Sequence, residues 1–248
     1  MSLVKNNFIS VVRKQYGFKL QGFSKFFFII IVTQIIGMLF TMSNAGGMTS
    51  TSNETYSFKI EQNSTIYVFI FTIAIVTGAT ILLNLKEYKD MDFTFVTNRI
   101  SSNISNIGFL ITLSLFGAVT SALSGVLTRT IKYFLIGSSK IIEVGFYLTP
   151  GEIMCSIGAN FLYFILFSSL VYFCTVLTQK SNIFFVIILI VVVLFTQTPL
   201  FGNIIEFYGK ENNFLIFMIK ALIMVTIFFT ASILVSNNQE VRGLKINI

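Results

Sequence analysis

Six long apolar runs divide the chain, at positions 26–42, 66–85, 107–127, 153–178, 183–200 and 214–235, and together they carry one charged residue, Lys220. Each run is about as long as a helix must be to cross a hydrocarbon layer of roughly 30 Å at about 1.5 Å per residue. Polar or Gly/Pro-broken connections separate them. The pattern predicts an all-α integral membrane protein with six transmembrane helices. Ahead of the first run, Val4, Phe8, Val11, Val12 and Tyr16 recur at helical spacing, with Lys5, Asn6, Ser10, Arg13 and Lys14 mainly on the opposite side. Residues 1–23 are therefore expected to form an amphipathic helix in the headgroup plane, basic side toward anionic lipid. Residues 24–236 then make up the transmembrane domain and 237–248 a tail. The leader, the first run and Ser43-Asn44-Ala45 imitate a signal peptide. A leader of 25 residues and five further runs favour a retained anchor.

Polar residues inside the runs mark where helices meet. Thr33 and Gln34 sit near the middle of the first, and an amide in hydrocarbon is costly unless a neighbouring helix or a wet path satisfies it. Gln34 is expected to face inward. In the third run Gly117, Ser121 and Gly125 recur every fourth residue beside Ala118 and Ala122, a small-residue stripe that permits close helix packing. Lys220 is expected to snorkel to the interface. Gln197, Thr198, Pro199, Gly202 and Asn203 break the end of the fifth run, where a freed backbone carbonyl must be buried in protein or line a cavity. Residues 43–63, rich in Gly, Ser, Thr and Asn, read as an outer loop. The stretch 129–148 suits either a small hairpin or an interfacial segment.

Composition agrees: 54% of the 248 residues are hydrophobic and 11% charged, which excludes a soluble or a disordered chain. The net charge of +7 does not point to nucleic acid, because the basic residues sort by side of the membrane rather than massing on one soluble face. With six spans, eleven basic residues fall on the side of the termini (Lys5, Arg13, Lys14, Lys19, Lys25, Lys86, Lys89, Arg99, Lys180, Arg242, Lys245) and five opposite (Lys59, Arg129, Lys132, Lys140, Lys210). The positive-inside rule then places both termini in the cytoplasm of a cell, read as bacterial. Cys155 and Cys174 lie about 28 Å apart along one predicted helix, too far for a disulfide or a shared metal within it.

The runs contain no carboxylate and the chain no histidine, so a coupling-ion site within the membrane is not expected. There is also no G-x-x-x-x-G-K-[ST] phosphate loop. Between the second and third runs, Lys86, Glu87, Tyr88, Lys89, Asp90, Asp92 and Arg99 alternate with Met91, Phe93, Phe95, Val96 and Ile100. Aromatic rings offered at a membrane surface are better explained by docking than by solvation.

This layout, with the local pattern Phe93-Thr94-Phe95-Val96-Thr97-Asn98-Arg99, resembles the membrane subunits of ATP-binding-cassette exporters in the type-two permease family. Family members often have Pro between the two aromatics and a second basic residue after the Arg; here Thr94 and Ser101 stand there. The resemblance implies a coupling connector over 86–105, with Glu87, Tyr88, Lys89, Asp90, Phe93, Phe95 and Arg99 facing an ABC ATPase subunit. It implies a translocation path that includes Thr33, Gln34, Thr77, Asn84 and Gln197, and an outer gate at Pro199 and Gly202. A second permease copy, identical or related, would complete the path, and membrane lipid surrounds it. No cofactor, metal or catalytic residue is expected on this chain; ATP and Mg belong to the partner ATPase.

The function expected is thus export of amphipathic or hydrophobic cargo (peptide, lipid or drug) by a subunit that is not itself an enzyme. The alternative is a membrane scaffold, immunity or sensor subunit. An intramembrane enzyme is disfavoured because the spans offer no paired carboxylates, histidine or activated nucleophile.

Overall fold

A computed structural model describes residues 8–43, 48–53, 56–61, 65–85, 99–136, 149–179 and 213–243. Its elements, in chain order, are α1 (Phe8–Gly22), α2 (Lys25–Met42), β1 (Met48–Asn53), β2 (Tyr56–Glu61), α3 (Ile66–Leu83), α4 (Arg99–Ile136), α5 (Pro150–Thr178) and α6 (Phe214–Gly243). Among the described residues five helices are long and apolar enough to cross a membrane: Lys25–Met42, Ile66–Leu83, Ile100–Leu135, Pro150–Thr178 and Phe214–Asn237. Between 22% and 39% of the residues in the apolar window of each are buried inside the protein, and large apolar side chains such as Ile35, Leu39, Leu123 and Leu127 are exposed on their outer faces. The chain is a multi-pass membrane protein. The expected span at 183–200 lies outside the described residues.

The structure adds detail at three places. The loop read over 43–63 contains an antiparallel hairpin, paired from Met48↔Glu61 to Asn53↔Tyr56, a small addition to a membrane domain that is helical as expected. The alternation of Tyr56, Phe58 and Ile60 with Ser57, Lys59 and Glu61, facing a Thr/Ser-rich strand, is a β pattern that the loop-like composition obscured. The third span is longer than its apolar run. α4 has 38 residues and is about 57 Å long, taking in the polar stretch before residue 107 and the segment to Ile136. Finally, α6 runs to Gly243, so the first residues of the segment read as a tail are helical.

Helix α5 starts with a reciprocal cap. The Thr149 amide donates to Glu152 Oε2 at 2.9 Å, the Glu152 amide donates to Thr149 Oγ1 at 3.3 Å, and Pro150 occupies the first helical position.

The chain divides into two compact units. One comprises residues 1–24, 77–112 and 165–248. In it α1 lies on α4: the hydroxyls of Tyr16 and Thr112 share a hydrogen bond of 2.8 Å, and the Phe23 and Phe109 rings are 5.6 Å apart. Gly108 admits the Tyr16 ring, which would come within 3.3 Å of a Cβ there. Tyr172 of α5, fully buried, packs its ring against Phe229 of α6.

The other unit comprises residues 25–76 and 113–164. Here α2 buries Ile30, Gln34, Gly37, Met38 and Thr41, a stripe of helical period directed at α3 and α4. Gly37 allows backbone contact with Val68, and Gly117 sits where a Cβ would lie 3.0 Å from the Thr72 methyl group. Rings pair across Phe40–Phe71, Phe69–Phe164 and Phe27–Phe116. The small-residue stripe packs as its spacing suggests: Gly117 meets Thr72 and Phe164, Gly125 meets Thr65, and Ser121 accepts a hydrogen bond from Asn160 Nδ2 at 3.0 Å.

Candidate functional site

Two polar centres are built into the described residues, one in each unit. In the unit of α2, the Gln34 side chain is 2% exposed, and its Nε2 donates to Thr72 Oγ1 at 3.0 Å and to the Gly117 carbonyl at 3.4 Å. An amide on α2 thus joins α3 and α4 at mid-helix. The inward orientation expected for Gln34 is observed. Its neighbour Thr33 points elsewhere, with its hydroxyl donating to the Ile29 and Ile30 carbonyls of its own helix.

Beside Gln34 runs a cleft of about 590 Å³ between α2 and α4, lined by Ile31, Gln34, Ile35 and Met38 on one side and Thr120, Leu123, Ser124, Val126, Leu127 and Thr130 on the other. The hydroxyls lining it donate to carbonyls of α4 itself: Thr120 to Phe116, Ser124 to Thr120, and Thr130 to Val126. The cleft wall is chemically apolar, with Gln34 as its one amide.

In the unit of α1 the centre is Lys19. Its Nζ donates to Ser105 Oγ at 2.8 Å and to Asn106 Oδ1 at 2.5 Å, and lies 3.2 and 3.3 Å from the Ser102 carbonyl and hydroxyl. Lys19 is 3% exposed. The chain of bonds continues: Asn106 Nδ2 donates to the Tyr172 hydroxyl at 3.3 Å, which donates to Asn103 Oδ1 at 2.8 Å. One network thereby ties α1, the first turns of α4 and the second half of α5. One turn before Lys19, Gln15 is also buried, with neither amide atom hydrogen-bonded among the described residues. The buried side of α1 is thus more polar than its pattern predicts, while Arg13 and Lys14 are exposed.

Of the remaining candidate path residues, Thr77 is half-buried on α3 and Asn84 lies just past its end, buried. Asn84 Nδ2 donates to the Thr80 carbonyl at 3.2 Å, and its own backbone carbonyl accepts from Gln179 Nε2 at 2.6 Å. Arg99 is the first residue of α4. Glu87, Tyr88, Lys89, Asp90, Phe93, Phe95, Gln197, Pro199 and Gly202 lie outside the described residues. Among the described residues no group of three or more His, Cys, Asp or Glu side chains is placed to hold a metal ion.

Sequence reasoning missed the Lys19 centre, although Ser102, Ser105 and Asn106 stand at i, i+3 and i+4, the spacing of one helical face. That stripe was the available signal. No family model, curated protein or solved structure matches the chain.

Proposed function

We propose that the chain is the permease subunit of an ATP-driven exporter, working as a pair of copies beside a separate ABC ATPase and moving amphipathic or hydrophobic cargo out of the cell. Both termini are cytoplasmic in this reading. The connector between α3 and α4 docks on the ATPase through Phe93 and Phe95, with Glu87, Tyr88, Lys89, Asp90 and Arg99 around them.

One observation carries the reading furthest: α4 begins at Arg99, so residues 99–105 of the expected connector are already the first turns of α4, and those turns are gripped by Lys19 of α1 and Tyr172 of α5. A displacement of the connector is passed to three helices at once, because a satisfied buried network moves as a body or breaks at a cost of several hydrogen bonds. The apolar wall of the cleft beside Gln34 suits cargo that is itself largely apolar. In this reading Thr33, Gln34, Thr77, Asn84 and Gln197 belong to the path, and Pro199 and Gly202 to its outer gate.

The test is purification of the tagged chain from its native membrane. An exporter subunit brings down an ATPase whose activity rises in lipid; a scaffold or sensor does not. Phe93→Asp, which removes an apolar anchor, should leave insertion intact while uncoupling ATP hydrolysis from transport. Full transport by that variant refutes the docking role of the connector.

A further inference from the structure

The cleft beside Gln34 presents hydrogen-bond acceptors and, among the described residues, no free donor. The Thr72 hydroxyl spends its one hydrogen on the Val68 carbonyl at 2.7 Å, so toward Gln34 it can only accept, as can the Gly117 carbonyl. The Gln34 atom that faces both is therefore Nε2, and the amide has one allowed orientation. Both hydrogens of Nε2 are used there. Oε1 is left without a donor among the described residues, on a side chain that is otherwise buried and lines the cleft. It is not sealed in, as the unpartnered oxygens of Asn84 and Ser114 are. The opposite wall behaves alike: Thr120, Ser124 and Thr130 give their hydrogens to carbonyls of α4 and keep only acceptor lone pairs for the cleft. Among the described residues no charged side chain lines it.

We propose that this cleft is a binding site for an uncharged, largely apolar molecule that carries a hydroxyl or amide N–H donor, with Gln34 Oε1 as the acceptor that selects it. Ile31, Ile35, Leu123 and Leu127 line the cleft and are exposed, so its mouth opens toward hydrocarbon and the ligand enters sideways from the lipid. Its volume of about 590 Å³ falls within the roughly 300–1,000 Å³ of small-molecule sites. A plain acyl chain fills the cleft but leaves Oε1 unmet, and a buried acceptor discriminates against the analogue that lacks a donor. An anion adds only further acceptors, and a cation would enter an apolar wall that holds no counter-charge. The inference rests on the exporter reading only for calling the ligand cargo. Its test needs no ATPase, so binding can fail while copurification of an ATPase succeeds, and the reverse.

The experiment labels the full chain, in lipid nanodiscs, with a diazirine-bearing hexadecanol and maps the label by peptide mass spectrometry. Unlabelled hexadecanol, hexadecyl methyl ether and hexadecyl sulfate compete at equal mole fractions in the bilayer. Labelling should saturate on the peptides that hold residues 31–38 and 120–130. Hexadecanol should displace it about three- to twentyfold more effectively than the ether or the sulfate, the ratio that one hydrogen bond within a membrane supports. Gln34→Leu should remove that preference while labelling persists. Ser124→Leu, which narrows the cleft and leaves the bonds of Gln34 to Thr72 and Gly117 in place, should reduce the labelling itself and serves as the second variant if Gln34→Leu does not fold. Equal competition by alcohol and ether, labelling that does not saturate, stronger competition by the sulfate, or a preference that survives Gln34→Leu overturns the proposal.

Discussion

A Cβ placed on Gly37 would lie 3.0 Å from both the Cα and the amide nitrogen of Val68. Helices α2 and α3 therefore touch through main chain, and the obstacle to a larger residue cannot rotate aside. Gly37→Ala should destabilise the protein by about 1–3 kcal/mol, the usual cost of overpacking a fitted contact. Gly78→Ala, where nothing lies within 4 Å, should instead stabilise by about 0.5–1 kcal/mol through helix propensity. Unfolding midpoints of the two variants in mixed micelles should move in opposite directions; shifts of the same sign would contradict the close approach.

Gln15 is 4% exposed and, among the described residues, neither its Nε2 nor its Oε1 has a partner. An unsatisfied buried amide costs roughly 1–3 kcal/mol, so Gln15→Leu should raise stability by an amount of that order. Unfolding measurements alongside Lys19→Ala should separate the two buried polar groups of α1, the first substitution stabilising and the second destabilising. Loss of stability on Gln15→Leu would show that the amide is bound.

Tyr172→Phe removes a hydroxyl that accepts from Asn106 and donates to Asn103 while leaving the ring against Phe229. The expected cost is about 1–3 kcal/mol, because two buried amides lose a partner together. In a double-mutant cycle with Lys19→Ala the losses should not add, since the two side chains meet on one amide, that of Asn106. Simple additivity would mean that the network is two separate bonds.

Gln34→Leu should cost only about 0.6–1.7 kcal/mol, the range for hydrogen bonds between helices in a membrane, where the unfolded reference also finds partners. Thr72→Val in the same background should add little, as the shared bond at 3.0 Å is already gone. A loss several times larger would assign Gln34 a packing role beyond its hydrogen bonds.

How much of this could be read from the sequence follows from the range over which each signal acts. Gln34 was legible because an amide inside a run such as Phe26 to Met42 has few affordable places other than a helix contact. Gly117, Ser121 and Gly125 were legible because their spacing is local and their smallness has one common use in lipid. Lys19 was not, since its acceptors lie more than 80 positions away, and a lysine in a basic leader looks like any other positive-inside charge. The boundary of α4 was missed for a related reason. Its first turns are polar because they bind Lys19 and Tyr172, so hydropathy began the helix too late. The hairpin escaped because Gly, Ser, Thr and Asn nearby outweighed a short alternation of period two.

The reciprocal cap at the head of α5 carries a practical consequence. Thr149, Pro150 and Glu152 supply the turn with its own start signal, so the register of the 29 residues that follow is fixed without reference to what precedes them. A reporter sequence spliced in shortly before Thr149 should leave that register untouched, because the cap lies wholly within residues 149–152.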